Sequence, residues 1–150
     1  MAKDLEIHEN IRAARLAACH KWPYLSTGLW AMNIIPSTKC ESGGHPTMGV
    51  DKYWRLYYHP DIIDRWDIPT IQGVLYHEVM HLLRRHHLRC ENMQADPPLA
   101  NVAMDAEIND DCIEDCLSNA QNKPQAKLPK GSITPQSLGL EPNLLWETYY

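Results

Sequence analysis

His77-Glu78-Val79-Met80-His81 constrains this chain more than any other stretch. Two imidazoles four residues apart converge on one side only if the segment is helical, where the 3.6-residue period stacks them one above the other. So disposed they can grip a single metal ion, and Glu78 between them is placed to work on a water. The surrounding segment is apolar on more than one side. Ile71, Leu75, Val79 and Leu82 make a packing stripe, while Val74, His77, Glu78 and His81 occupy another sector. A helix of that kind belongs in the middle of a domain, where an acid is costly unless paired or working.

Local signals bound this helix. Asp67 reads as its N-cap, with Pro69 tolerated in the first turn, and the pattern runs to about Cys90. A second start signal, Asp96 followed by Pro97, opens another helix to about Leu117. Residues 4 to 21 read as a first helix, with Leu5, Ile11, Leu16 and Ala17 among its apolar positions and Pro23 beyond its end. Tyr24 to Met32 is compatible with a short helix, and Asn33-Ile34-Ile35 with a strand. Residues 36 to 46, rich in Pro, Ser, Gly and Thr, read as an exposed loop.

Met48 to Asp51 and Trp54 to Tyr58 read as two strands joined at Lys52-Tyr53, a small antiparallel ribbon. Residues 120–136 read as an extended wrap or loop. Leu138, Leu140, Leu144, Leu145 and Trp146 then suggest that the tail docks again. The fold class is therefore α+β, mainly helical with a small antiparallel or mixed sheet around a central metal-binding helix, and 1–150 reads as a single domain.

Bulk properties narrow the classes of function. A 150-residue chain that is 44% apolar and 22% charged has room for one domain with a real core. Its net charge of −5 argues against a nucleic-acid surface, which calls for clustered Lys and Arg. Met1 to Glu6 carries charges where a signal peptide needs an apolar run, and no stretch approaches a membrane span, so the expected location is the cytoplasm. Cys19, Cys40, Cys90, Cys112 and Cys116 form an odd set without C-x2-C spacing and read as reduced thiols, with Cys90, Cys112 and Cys116 expected to be buried.

Catalytic zinc takes three protein ligands and leaves a position for water, so the chain must supply one more. On the later helix Asp105 and Asn109 lie at i and i+4, on one face, with small Ala103 and Ala106 nearby. Glu107 points about 160° away from Asp105. Asp105 is thus the expected ligand and Asn109 its supporting or packing partner. The alternative is a solvated acidic helix, since Asp105, Glu107, Asp110, Asp111, Glu114 and Asp115 form a run. His86 and Arg89 fall about two turns past the ligands, roughly 12 Å along the axis for Arg89, and are expected to tie the helix to neighbouring groups. Arg84 and Arg85 read as a solvated helix end. His45 and His59 precede prolines and have no partner motif, and Tyr149 and Tyr150 carry phenols without a placed role.

H-E-x-x-H is the arrangement of zinc metallopeptidases, and here it sits in a longer pattern. Gly49-Val50-Asp51, Val74 to His81, His86-x-x-Arg89 and Asn101-x-Ala103-x-Asp105-x-x-Ile108-Asn109, in this order and spacing, resemble the predicted metallopeptidase domain of bacterial and phage proteins associated with a von Willebrand factor A-like partner. The resemblance runs from the Arg12 to Leu16 region through Trp146 to Tyr150. It implies a zincin-like fold, zinc held by His77, His81 and Asp105, Glu78 as catalytic acid and base, and a von Willebrand factor A-like partner protein.

The expected function is a zinc-dependent hydrolase, a metallopeptidase in which Glu78 activates a zinc-bound water against a peptide or protein substrate. In zincins a strand near the active helix pairs with extended substrate, and Trp54 to Tyr58 is the expected edge. The alternative is a catalytically silent, zinc-stabilised interaction module, for example a phage protein binding a host factor. A fourth protein ligand such as His59 in the water position would favour it.

Overall fold

The computed structural model describes residues 6–117 and 126–150. The expected start of the first helix at residue 4, the first part of the 120–136 wrap, and the side chains of Glu114, Asp115 and Cys116 lie outside the described residues. Helix α1 spans Glu9–Lys21, opened by His8, whose Nδ1 accepts the Asn10 N–H at 3.2 Å. Its buried face is Ile11, Ala14, Arg15 and Ala18, whereas Leu16 points to solvent. Arg15 can be buried because its guanidinium donates to the Met32 carbonyl at 3.0 Å and lies over the Trp30 ring. A 3-10 turn at Pro23–Leu25 leads into helix α2, Ser26–Ala31.

Strand β1, Asn33–Pro36, follows. The segment expected as loop then contains a two-residue ribbon, β2 (Glu41–Ser42) against β3 (His45–Pro46). Gly43 and Gly44 both take positive φ at its tip, a turn for which glycine carries no steric penalty. Strand β4 is Met48–Val50 and β5 is Arg55–Tyr58, antiparallel with Gly49 opposite Tyr57. Asp51 shapes their connection by accepting the Tyr53 and Arg55 N–H groups, and Trp54 stands in the left-handed region, so β5 begins one residue later than expected.

The Trp54 to Tyr58 strand is not an edge. β1 pairs parallel with β5, Ile34 opposite Leu56, so the sheet is mixed in order β1-β5-β4 and β5 is central. The edges are β1 and β4, and β4 is the one beside α3. Hydrophobic alternation shows that a strand is half-buried but not how many neighbours it has, which is why the ribbon was the natural reading.

Helix α3 runs Ile68–Leu83 beneath this sheet, with the Asp67 carboxylate capping the Thr70 N–H at 2.9 Å. It is buried on nearly every side, and α1, α2 and β4 all pack on it. The helix does not continue to Cys90. Arg85 adopts φ 55 and turns the chain into a separate helix α4, His86–Met93. Helix α5, Pro97–Leu117, packs against α3.

After it, the chain at Lys127 lies against α3, with the Lys127 N–H on the Pro69 carbonyl, and reaches α5 at Ile133. Gly73 permits this: a Cβ there would stand 1.9 Å from the Lys127 carbonyl oxygen. The tail docks through Trp146 in the short helix α6, Trp146–Tyr149, packed on Ala100, Ala103 and Met104. Leu138, Leu140, Leu144 and Leu145 stay exposed, so the expected leucine anchor is a single tryptophan. Among the described residues no helix is long and apolar enough to cross a membrane.

Candidate metal centre

Burial of α3 between the sheet and α5 fixes what its polar face meets. His77 and His81 present Nε2 to each other at 2.9 Å, and Asp105 reaches across from α5 to place Oδ1 at 3.3 and 3.2 Å from those nitrogens. The three ligand atoms form a nearly equilateral triangle. A tetrahedral ion with bonds near 2.0 Å spaces its ligands by about 3.3 Å, so the triangle fits such an ion. Among the described residues no fourth His, Cys, Asp or Glu joins the group. The three residues singled out as metal ligands are thus brought together.

Each imidazole is steadied from behind. Asn109, one turn past Asp105, sets Oδ1 at 2.6 Å from His77 Nδ1 and donates its amide to the Ile133 carbonyl at 2.7 Å. Accepting from Nδ1–H leaves Nε2 as a lone pair toward the centre. Behind His81 stands His86, fully buried, its Nδ1 at 3.0 Å from His81 Nδ1. His86 is not among the three converging ligand atoms, but the left-handed Arg85 folds it back against His81. His86 Nε2 faces Glu107 Oε2 at 3.3 Å, off hydrogen-bond geometry.

Glu78 is buried beside the pair, and its Oε2 accepts the Val50 N–H from β4 at 3.1 Å. Burial pushes its carboxyl up to about 7, against the pull of His77. For His77 burial opposes the charge, but Asp105 and Glu78 outweigh it and lift the imidazole to about 9. Burial and the neighbouring His77 charge depress His81 to about 4. Asp105 is held well below the usual carboxylate range by the two imidazoles, which overcome its burial. Without metal, the cluster therefore keeps one proton where an ion would sit.

The centre opens to a cleft of about 610 Å³ between Met48, Gly49 and Val50 of β4 and residues 128–133. His45 and His87 also line it. His59 does not: it is buried elsewhere, its Nδ1 accepting the Asp61 N–H and its Nε2 3.9 Å from Glu41. Tyr149 and Tyr150 hold chain segments, with hydroxyls on the Glu141 carbonyl and the Asp96 N–H.

The acidic run is not simply solvated. Glu107 accepts from Arg84 and the Trp146 N–H, and Asp110 from the Asn143 N–H. Arg84, expected as a solvated helix end, is mostly buried between Glu107 and Asp111. Arg89 grips Glu147 with two nitrogens, as expected of a tie to a neighbouring carboxylate. His86 also faces a carboxylate, Glu107, but sequence reasoning missed its contact with His81 and the burial of Glu107, for which no local signal exists. Cys112 is buried and Cys90 half-buried, and neither is in a disulfide.

Comparison with known proteins agrees with this chemistry. Neither the curated proteins nor the solved structures give a match. Residues 6–144, which carry the whole His-His-Asp group, match the family model described as "Putative metallopeptidase domain", and the chain belongs to that family.

Proposed function

We propose that this chain is a zinc-dependent metallopeptidase with His77, His81 and Asp105 as ligands and Glu78 as acid and base. The observation that carries the reading is the ligand triangle beside a buried carboxylate, on the floor of an open cleft. A central helix bearing two histidines under a sheet edge, with the third ligand from another helix, supports a zincin-like description of the fold. When bound, zinc supplies Lewis acidity, lowering the pKa of a water and polarising a substrate carbonyl.

The remaining work falls to the chain's own groups. Val50 N–H anchors Glu78 Oε2 and leaves Oε1 to take the proton of the attacking water. The same carboxyl then delivers that proton to the departing amine nitrogen as the C–N bond breaks. Burial raises this carboxyl in the metal-free chain, the direction that suits a group taking up and giving back a proton near neutrality.

Substrate binding belongs to β4. The Asp51 N–H bonds the Arg55 carbonyl and the His59 N–H bonds Thr47, so by alternation Gly49 faces β5 while Met48 and Val50 turn their backbone groups away from it, the Val50 N–H to Glu78. An extended peptide can add there as a further strand.

A fourth protein ligand such as His59 in the water position would favour the interaction-module reading, and His59 is engaged elsewhere. The test is metal uptake followed by cleavage. Chelator-treated protein should take up one zinc per chain and recover hydrolysis of an unfolded protein substrate. Asp105→Ala should lose most zinc affinity, far more than Glu107→Ala. No zinc uptake by the wild type, or equal loss in both variants, would sink the assignment.

A further inference from the structure

Building on the zinc reading above, we propose that His86 is a positioning residue for the ligand His81 and is itself set by Glu107. For His81 Nε2 to offer a lone pair to a metal, the neutral ring must be protonated at Nδ1. That nitrogen lies 3.0 Å from His86 Nδ1. If His81 donates there, His86 Nδ1 accepts, and the proton of neutral His86 belongs on Nε2. Nε2 is the nitrogen that faces the Glu107 carboxylate at 3.3 Å.

The reverse arrangement fails at both ends. A proton on His86 Nδ1 would point a lone pair at the carboxylate and drive the His81 proton to Nε2, blocking the metal position. Glu107 thus selects the tautomer of His86, and His86 selects that of His81.

The rest of the fold serves this chain of contacts. On a continuous helix His86 would sit about 140° around the axis from His81 and about 7.5 Å further along. The left-handed Arg85 brings the two rings to 5.1 Å between centroids, at 78° to each other. Glu107 is fixed by Arg84 at 2.8 Å and the Trp146 N–H at 3.0 Å, so the C-terminal segment locks the carboxylate. Burial of both groups, 0% exposed for His86 and 6% for Glu107, keeps water from substituting for either.

The experiment compares zinc affinity by chelator competition in wild type, His86→Leu and His86→Asn, and reads the histidine tautomers of the zinc-loaded wild type by long-range proton–nitrogen NMR. His86→Leu should bind zinc about 10- to 100-fold more weakly. His86→Asn, whose amide oxygen can stand where Nδ1 was, should recover most of that loss. The spectrum should show His81 protonated at Nδ1 and His86 at Nε2 only. Wild-type affinity in His86→Leu, or a proton on His86 Nδ1, overturns the proposal while leaving the zinc reading intact. Failure of the wild type to bind zinc overturns both. Should His86→Leu not fold, the wild-type spectrum decides.

Discussion

At the scale of single residues, the centre is a competition between a proton and a metal. In the metal-free chain His77 holds its proton up to about 9, above its ordinary 6.5, because Asp105 and Glu78 face it in a buried site. A divalent ion must displace that proton. Zinc affinity is therefore expected to rise about tenfold from pH 7 to pH 8 and to level off near pH 9, with proton release seen by calorimetry in buffers of different ionisation enthalpy. The same shift predicts the stability of the metal-free protein. Between pH 7 and 9 the folded chain holds a proton at His77 that the unfolded chain has lost, so stability falls as pH rises. Glu78, raised to about 7, still holds part of its proton at the lower end of that window and acts in the same direction, whereas His81, at about 4, has finished titrating below it. A zinc affinity independent of pH would show that His77 does not contact the ion.

At the scale of elements, what the sequence revealed was what local chemistry decides. Asp67 with Pro69, and Asp96 with Pro97, mark helix starts through groups within one turn of each other, and both helices begin there. The i, i+4 spacings of His77 with His81 and of Asp105 with Asn109 were legible for the same reason. The break at Arg85 was not, because Leu83-Arg84-Arg85-His86 contains no glycine, asparagine or proline. Tertiary contacts hold that residue left-handed, with Arg84 and Arg89 anchored on acids from α5 and the tail. Pairing of β1 with β5, and of His86 with Glu107, is long-range and leaves no local trace. Gly73 belongs to this scale too. Gly73→Ala should push the 126–128 segment off α3, since a backbone carbonyl cannot swing aside, and should cost about 1–3 kcal/mol in denaturant titration. An unchanged midpoint would mean that this segment does not lie on the helix in solution.

At the scale of the whole molecule, two packing regions support one cleft. The larger core joins α1, α2, α3 and the sheet, while a smaller one seats Trp146 against α5 behind the centre. The tail's bonds from Trp146 to Glu107, Asn143 to Asp110 and Glu147 to Arg89 tie that second region to α4 and α5. Trp146→Ala should destabilise the fold by about 3–5 kcal/mol in denaturant unfolding. A loss under 1 kcal/mol, on the order of an exposed side chain, would show that the tail is not seated.

The central claim is that these supports exist to place Glu78 beside a bound zinc ion at an open cleft. It is tested most directly by cleavage of an unfolded protein substrate, measured for wild type and Glu78→Gln at equal, confirmed zinc content. Glu78→Gln keeps the side-chain shape and should retain zinc while losing cleavage by at least about 100-fold, the scale of a general acid–base contribution. Equal cleavage by the two proteins, or no cleavage by zinc-loaded wild type, would contradict the account.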